Sequence, residues 1–419
     1  MTQSGTVDGR LTDWVSLGVL ASWVPRDAVE DAVEETGRGA RRAGGKLPPH
    51  VMVYFVMALA LFADEDYEEV ITRLAETLQG WGCWDDGWEV PASGGICQAR
   101  QRLGPEPLEE LFGQVAGPVA DLDTAGAFLG AWRLMSVDGM EWDVPDTAAN
   151  RAFFGSRAGS EGPAAFPKAR VVTVSECGSR AAVAAAVGPA AGGKGSGEQA
   201  LARRLYPRLE EDWLLLADRN FYSWKDWRAA AGTGAALLWR VKSSLQLPVL
   251  EPLPDGSWRS VLVSPRIDPR SPARAALLAA AGRGGDLDQD RARYVRVIEY
   301  QVPDRDGGGT AERIILITTI TDFRRAPAPE LARAYHERWE HEGGNAQLKT
   351  HLRGPGRVLR SQSPAMAEQE IWGYLLTHYA ISALICAAAT AAGIDPDRVK
   401  FKRTVRIIRR RAGDPAFSP

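Results

Sequence analysis

The chain has 419 residues, 45% of them apolar and 25% charged, and a formal net charge of −3. That length supports a large core and two or three domains. The near-neutral balance excludes a uniformly basic nucleic-acid coat but not local cationic clusters, and one stands at the C-terminus in Lys400, Lys402, Arg403, Arg406 and Arg409–Arg411. Four cysteines, at 83, 97, 177 and 386, show no CxxC spacing, and there are only five histidines. Neither a structural zinc site nor a disulfide framework is expected, and free thiols suit a reducing cytoplasm. Residues 1–8 lack the basic start and apolar run of a signal peptide. The apolar stretches Val51–Phe62 and Tyr379–Ala392 fall short of the roughly 20 residues that span a bilayer, so no membrane partner is expected.

Residues 11 to 122 read as helical, with apolar residues at helical spacing in 51–57 and 70–74. Gly37–Lys46 reads as a loop, and Pro48-Pro49 opens the next helix. Ile96–Arg102 forms another short helix, and Pro105 and Pro107 precede one more. The pattern changes near residue 130. Arg133–Gly139 is an apolar run ending in Asp-Gly, which predicts a strand followed by a turn. Strands are predicted at 170–175 and 181–187, a helix at 198–209, a strand at 213–218, a helix at 223–230 and a fifth strand at 235–241. That order describes a mixed sheet covered by helices. From 243 to 320, short β-like runs (258–263, 294–300, 313–319) alternate with Pro- and Gly-rich loops, which reads as a β-rich insertion. A long helix beginning after Pro327 or Pro329 carries 331–352, and a second, apolar one covers 366–391. The expected domains are a helical 1–125, a core of 126–242 and 321–392, the insertion 243–320 and a basic tail 393–419.

Three carboxylates stand out by position. Asp138 and Asp218 each end a predicted buried strand, and Glu342 lies in a helix dense in charged and aromatic residues. Strand ends of an open sheet are where ligand sites form. Two carboxylates gathered there repel unless a cation lies between them, and all-oxygen donors suit Mg²⁺ or Mn²⁺. Two such ions about 4 Å apart promote phosphodiester cleavage. Singly, each residue has an ordinary explanation: an Asp after a strand forms a turn or caps a helix, and a Glu on a helix is a surface charge. Paired carboxylates also serve glycosidases, but that chemistry does not explain the cations beside Glu342.

The helix runs Tyr335-His-Glu-Arg338-Trp339-Glu-His-Glu342-Gly-Gly-Asn-Ala-Gln-Leu-Lys349. Steps of three, four and seven put Tyr335, Arg338, Glu342 and Lys349 on one face. The spacing resembles the YREK signature of the IS4 family of bacterial transposases. Other segments resemble that family too: Asp138-Gly139 with Val144–Thr147, Asn150 and Phe154-Gly155; Phe166–Arg170; Leu216–Phe221; and Gly234–Val241, ending in Trp239-Arg240-Val241-Lys242. The likeness covers about 330 residues, and the first 120 resemble the helical domain that precedes the core in some members.

The resemblance implies an α/β fold: a ribonuclease-H-like mixed-sheet core, interrupted by a β-rich insertion and preceded by an all-helical domain. It implies a DDE transposase in which Asp138, Asp218 and Glu342 hold Mg²⁺, with Mn²⁺ able to substitute. Tyr335, Arg338, Lys349, Arg240 and Lys242 would contact DNA, Arg338 as a fork to phosphate and Lys349 as a point charge. The implied partners are double-stranded DNA, both inverted-repeat ends and target, and a second copy of the chain in a synaptic dimer. The implied setting is the bacterial cytoplasm. A catalytically impaired DNA-binding relative that represses transposition is the alternative. Two features depart from the family: His341 stands where an apolar residue is usual, and Gly343-Gly344-Asn345 where an aromatic is common. Two helix-interior glycines, each costing about 1 kcal/mol against Ala, predict a helix kinked or loosened beside Glu342.

Overall fold

The computed structural model describes residues 21–40, 47–79, 89–155, 158–159, 162–163, 165–191, 195–302 and 312–411. The expected helix start at 11–20, most of the loop at 41–46, Cys83, the turn at 304–309 and the end of the basic tail lie outside them. Helices come first: α1 (Arg26–Glu35), α2 (Pro49–Leu61), α3 (Tyr67–Gln79), α4 (Ser93–Leu103) and α5 (Glu106–Val115). Pro49 sits in the first turn of α2, where its missing N–H costs nothing. Every residue from Val51 to Leu61 is buried, so α2 lies inside its layer.

A two-residue strand at Phe128–Leu129 pairs with the first long strand, β1 (Trp132–Asp143), followed by α6 (Ala148–Phe154), β2 (Lys168–Glu176), β3 (Ala182–Pro189), α7 (Glu198–Leu205), β4 (Trp213–Ala217), α8 (Trp224–Ala231) and β5 (Ala236–Arg240). Then come β6 (Trp258–Val263), α9 (Pro272–Gly282), β7 (Ala292–Val302) and β8 (Glu312–Thr318). The strand order is β3-β2-β1-β4-β5-β8-β7-β6. β1 pairs antiparallel with β2, and β2 with β3. β1 pairs parallel with β4, and β4 with β5. Those five strands have the order and polarity of a ribonuclease-H-like core. β8, β7 and β6 continue the same sheet antiparallel from β5, so the β-rich insertion enlarges the core sheet. It also contains α9, where the sequence predicts loop. Ser271 caps that helix and Pro272 opens it.

Side chains alternate across the sheet. One face, with Met135, Val137, Val172, Val174, Leu215 and Leu237, packs under Leu201, Leu205, Trp227 and Ala230 of α7 and α8. The other face carries Leu134, Leu214, Leu216 and Leu238 beneath α10 (Ala328–His336). Beyond α10 on that face lie α11 (Trp339–Ala346), a π-helical turn at Gln347–Leu352, and α12 (Pro364–Ala391). Met140, Trp142, Ala169 and Val171 share one apolar cluster with α1–α5 and α12. The N-terminal helices and α12 thus form a single layer against the sheet. At Gly373 of α12 an added Cβ would lie 2.7 Å from Val56, so the glycine lets α12 cross α2 at backbone contact. α12 spans 28 residues and is apolar enough to cross a membrane, but 83% of its most apolar stretch is buried inside the protein.

Three sequence expectations need correction. First, Asp138 does not end its strand: β1 runs on to Asp143 because the ladder with β2 continues to Asp143↔Lys168, with Met140 and Trp142 buried. Gly139 is a clearance residue within that strand, since a Cβ there would lie 2.8 Å from the Glu198 carboxylate. Second, the long helix expected over 331–352 is in pieces. Between α10 and α11 the backbone tightens into i→i+3 hydrogen bonds, Glu337 N–H to the Ala334 carbonyl (3.1 Å) and Arg338 N–H to Tyr335 (3.2 Å). Third, Gly343 and Gly344 do not break α11; the departures from α-helix fall on either side of it. The pair brings α11 close to Arg180 in the β2–β3 turn: a Cβ at Gly343 would lie 3.2 Å from Arg180 Nε.

Candidate functional site

The parallel ladder between β1 and β4 ends at the pair Val137↔Ala217. The next residues are Asp138 and Asp218, so the two carboxylates stand in adjacent rows where the strands part. Asp138 has the parity of Leu134 and Ser136, and Asp218 that of Leu214 and Leu216, so both point to the face that carries α10 and α11. α11 supplies Glu342, whose side chain is 43% exposed.

Arg338 lies among these carboxylates. Its Nη2 is 3.1 Å from Glu342 Oε1. Burial works against its charge, but Tyr335, Asp218, Glu342 and Asp138 outweigh that and hold the group above its ordinary range. Arg338 Nε is buried with no hydrogen-bond partner among the described residues. The guanidinium also stacks on Trp339, 5.4 Å from the ring centre, and that indole is 53% exposed. As the chain stands, no three His, Cys, Asp or Glu side chains among the described residues converge closely enough to hold one ion. The donor chemistry still suits a hard divalent cation, because three carboxylates act on the Arg338 guanidinium, whose single positive charge offsets only one of them.

The other expected contacts are distributed as follows. Tyr335 is 5% exposed, not a surface residue, because the inward stripe Leu331, Ala334 and Tyr335 packs on the apolar face of the sheet. Its hydroxyl is buried beside the Arg338 guanidinium, and burial pushes its pKa up. Lys349 is half-buried on the π-helical turn. Burial and neighbouring Arg353 lower its pKa, while Asp138 and Glu141 oppose them. Arg240 is held by Glu312 of the insertion, and Lys242 is exposed. Arg100 of α4 is fully buried and bonds Gln369 Oε1 at 2.9 Å. The C-terminal cations ride on α13 (Phe401–Arg411), which buries Phe401, Val405 and Ile408 and exposes Lys402, Arg403, Arg406 and Arg410.

The polar underside of α11 has no counterpart among the sequence expectations. His341 is buried, and its Nδ1 lies 2.7 Å from Ser136 Oγ on β1. Its Nε2 lies 2.7 Å from Thr173 Oγ1 and 3.3 Å from Ser175 Oγ on β2. Hydroxyls donate or accept, so either neutral tautomer is satisfied. Burial lowers the His341 pKa to about 4, with Asp138 pulling upward and Arg338 downward. One turn on, Asn345 Nδ2 donates to Asp138 Oδ2 at 3.0 Å. The available signal was a pair of polar residues at i and i+4, on the stripe that continues to Leu348 and Leu352.

A model described as "Transposase DDE domain" matches residues 133–379, and one described as "Insertion element 4 transposase N-terminal" matches 14–113. The chain is 26% identical over 394 residues to "Transposase InsG for insertion sequence element IS4" of Escherichia coli K12, spanning 93% of this chain and 82% of that protein. It is 26% identical over 182 residues to the same organism's "Putative transposase InsZ", 42% of this chain and 56% of that one. Among solved structures, a piggyBac transposase synaptic complex with hairpin DNA aligns over 95% of this chain and 80% of that chain, at 9% identity and a TM-score of 0.48.

Proposed function

The chain belongs to the DDE transposases of the insertion element 4 type, and on that premise we propose that this transposase cuts and joins the DNA ends of an insertion sequence with Asp138, Asp218 and Glu342 as divalent-metal ligands. The observation that carries the reading is the register of β1 and β4, which sets two aspartates in adjacent rows on the face reached by Glu342 and Arg338. Mg²⁺, or Mn²⁺ in its place, would supply charge stabilisation at the attacking and leaving oxygens of phosphodiester transfer.

The chain's own groups have distinct parts. Arg338 gives up Glu342 and turns its planar fork to phosphate oxygens. Tyr335 brings a buried hydroxyl up beneath that guanidinium. Lys349 adds a point charge near Asp138, and Arg240 and Lys242 add cations from the end of β5. The exposed face of α13 offers four further cations to the DNA backbone. The substrates are duplex element ends and target DNA, held by two copies of the chain. A match spanning the whole catalytic region does not favour a repressor without catalysis.

The test uses a duplex carrying the element end, with gel retardation and 3′-hydroxyl release in Mg²⁺ or Mn²⁺ read side by side. Wild-type protein should cleave only with metal. Asp138→Asn, Asp218→Asn and Glu342→Gln should each abolish cleavage and keep retardation, because the amides preserve shape and remove the ligand charge. An amide variant that cleaves at the wild-type rate removes that carboxylate from the site.

A further inference from the structure

We propose that Asn345 is a positioning residue that holds Asp138 as a one-oxygen metal ligand, pinning one carboxylate oxygen so that the other alone is presented to the cation. The inference rests on the reading of Asp138 as a ligand.

Asn345 is 9% exposed and its side chain lies on the inward stripe of α11. A helix residue at that depth would ordinarily be apolar, since a buried amide without partners costs about 1–3 kcal/mol. The amide here has a partner, and the partner is Asp138. An ionised carboxylate only accepts hydrogen bonds, so the 3.0 Å contact fixes the amide with its NH₂ toward Oδ2. No hydrogen bond among the described residues reaches Asp138 Oδ1. The two oxygens of one carboxylate are therefore unequal before any cation arrives.

The neighbours make this bond a fixed one. His341 stands four residues earlier on the same stripe and hydrogen-bonds Ser136, two residues before Asp138 on β1. It also bonds Thr173, the β2 residue paired directly with Asp138. On the flank, Arg180 Nε reaches Glu340 at 2.7 Å, and its Nη2 reaches Asp397 at 2.8 Å. Helix α11 is thus set in height and rotation against β1, which carries Asp138, and against its neighbour β2. An amide on a helix so held can orient a carboxylate rather than follow it. Partners of this kind, once removed, cost metal affinity by about 10–100-fold.

The experiment counts Mn²⁺ bound to the full-length chain on a duplex of the element's own end, by electron paramagnetic resonance. Thermal midpoint and DNA retardation are read on the same samples. Asn345→Leu keeps the branched shape and removes the donor. It should melt and retard DNA as wild type does, yet need about 10-fold more Mn²⁺ for half-saturation. Asn345→Gln, which keeps an amide donor, should fall between the two. If Asn345→Leu does not fold, Asn345→Ala takes its place with the same expectation. Wild-type Mn²⁺ affinity in a folded variant lacking the donor overturns the inference. Asp138→Asn separates the two layers of the argument. If it loses Mn²⁺ while the Asn345 variants do not, only the positioning role fails. If it binds Mn²⁺ as wild type does, the ligand reading of Asp138 fails and the inference falls with it.

Discussion

Helices α10 and α11 follow one another in sequence and lie on the same face of the sheet, yet they are held by opposite means. α10 presses Leu331, Ala334 and Tyr335 onto Leu134, Leu214, Leu216 and Leu238. α11 sets His341 and Asn345 on Ser136, Thr173, Ser175 and Asp138. Apolar contact is strong but tolerates sliding, because it is non-directional. A hydrogen-bonded underside adds less net energy and tolerates little displacement, because each unpaired buried group is costly. The half that carries Glu342 is the half held by direction.

Four measurements would break or sharpen that contrast. The largest effect is expected from Leu331→Ala, which empties a fully buried site under α10. It should lower unfolding free energy by about 2–5 kcal/mol with an unchanged denaturant slope. A loss below about 0.5 kcal/mol, the scale of a surface substitution, would mean that α10 is not held by this packing.

Acid comes next. His341 and His378 are both buried, with pKa values lowered by burial to about 4 and about 3. Unfolded, each takes up its proton near pH 6.5. The unfolded chain therefore binds more protons below that point. The stability is fully present above about pH 6.5 and is lost as pH falls toward 4. For His341 the loss is on the order of 3 kcal/mol. His341→Gln should flatten the stability profile between pH 6 and about 4. An unchanged profile would show that His341 is not held neutral.

Ser136→Ala tests the polar half directly. It removes the hydroxyl 2.7 Å from His341 Nδ1, at a cost of about 1–3 kcal/mol. Calorimetry that finds no cost would make the polar underside incidental. The smallest stability effect is expected from Arg406→Ala on the exposed face of α13, within about 0.5 kcal/mol. The same change should shallow the salt dependence of DNA binding by about one phosphate contact. An unchanged salt slope would take α13 off the DNA path.

Much of the catalytic region was legible because each strand is a short apolar run bounded by turn residues. The Tyr335, Arg338, Glu342 and Lys349 spacing marked the helix. Position within the strand was less legible. Asp138-Gly139 reads locally as a turn, and only the long-range ladder with β2 carries β1 through it. The tightened turn at Glu337-Arg338 and the π turn at 347–352 leave no Pro or unusual dihedral requirement in the sequence, so an unbroken helix was the natural expectation. α9 was hidden among Gly- and Pro-rich neighbours although Ser271-Pro272 opens it in an ordinary way. The hydrogen bond from Asn345 to Asp138 joins residues 207 positions apart, a pairing that no local pattern announces.

The strands added between β5 and α10 also settle what becomes of the sheet's open side. Without them β5, with Leu238 and Trp239 at its centre, would show an unpaired row of backbone N–H and C=O groups to any other chain. With them the row is passed outward through β8, β7 and β6 to Glu251–Pro252, an exposed strand of two residues. So short a strand ending in a proline is a poor template for further pairing. Excising residues 243–320 would therefore expose an adhesive edge, and the expected product is an aggregate rather than a smaller enzyme.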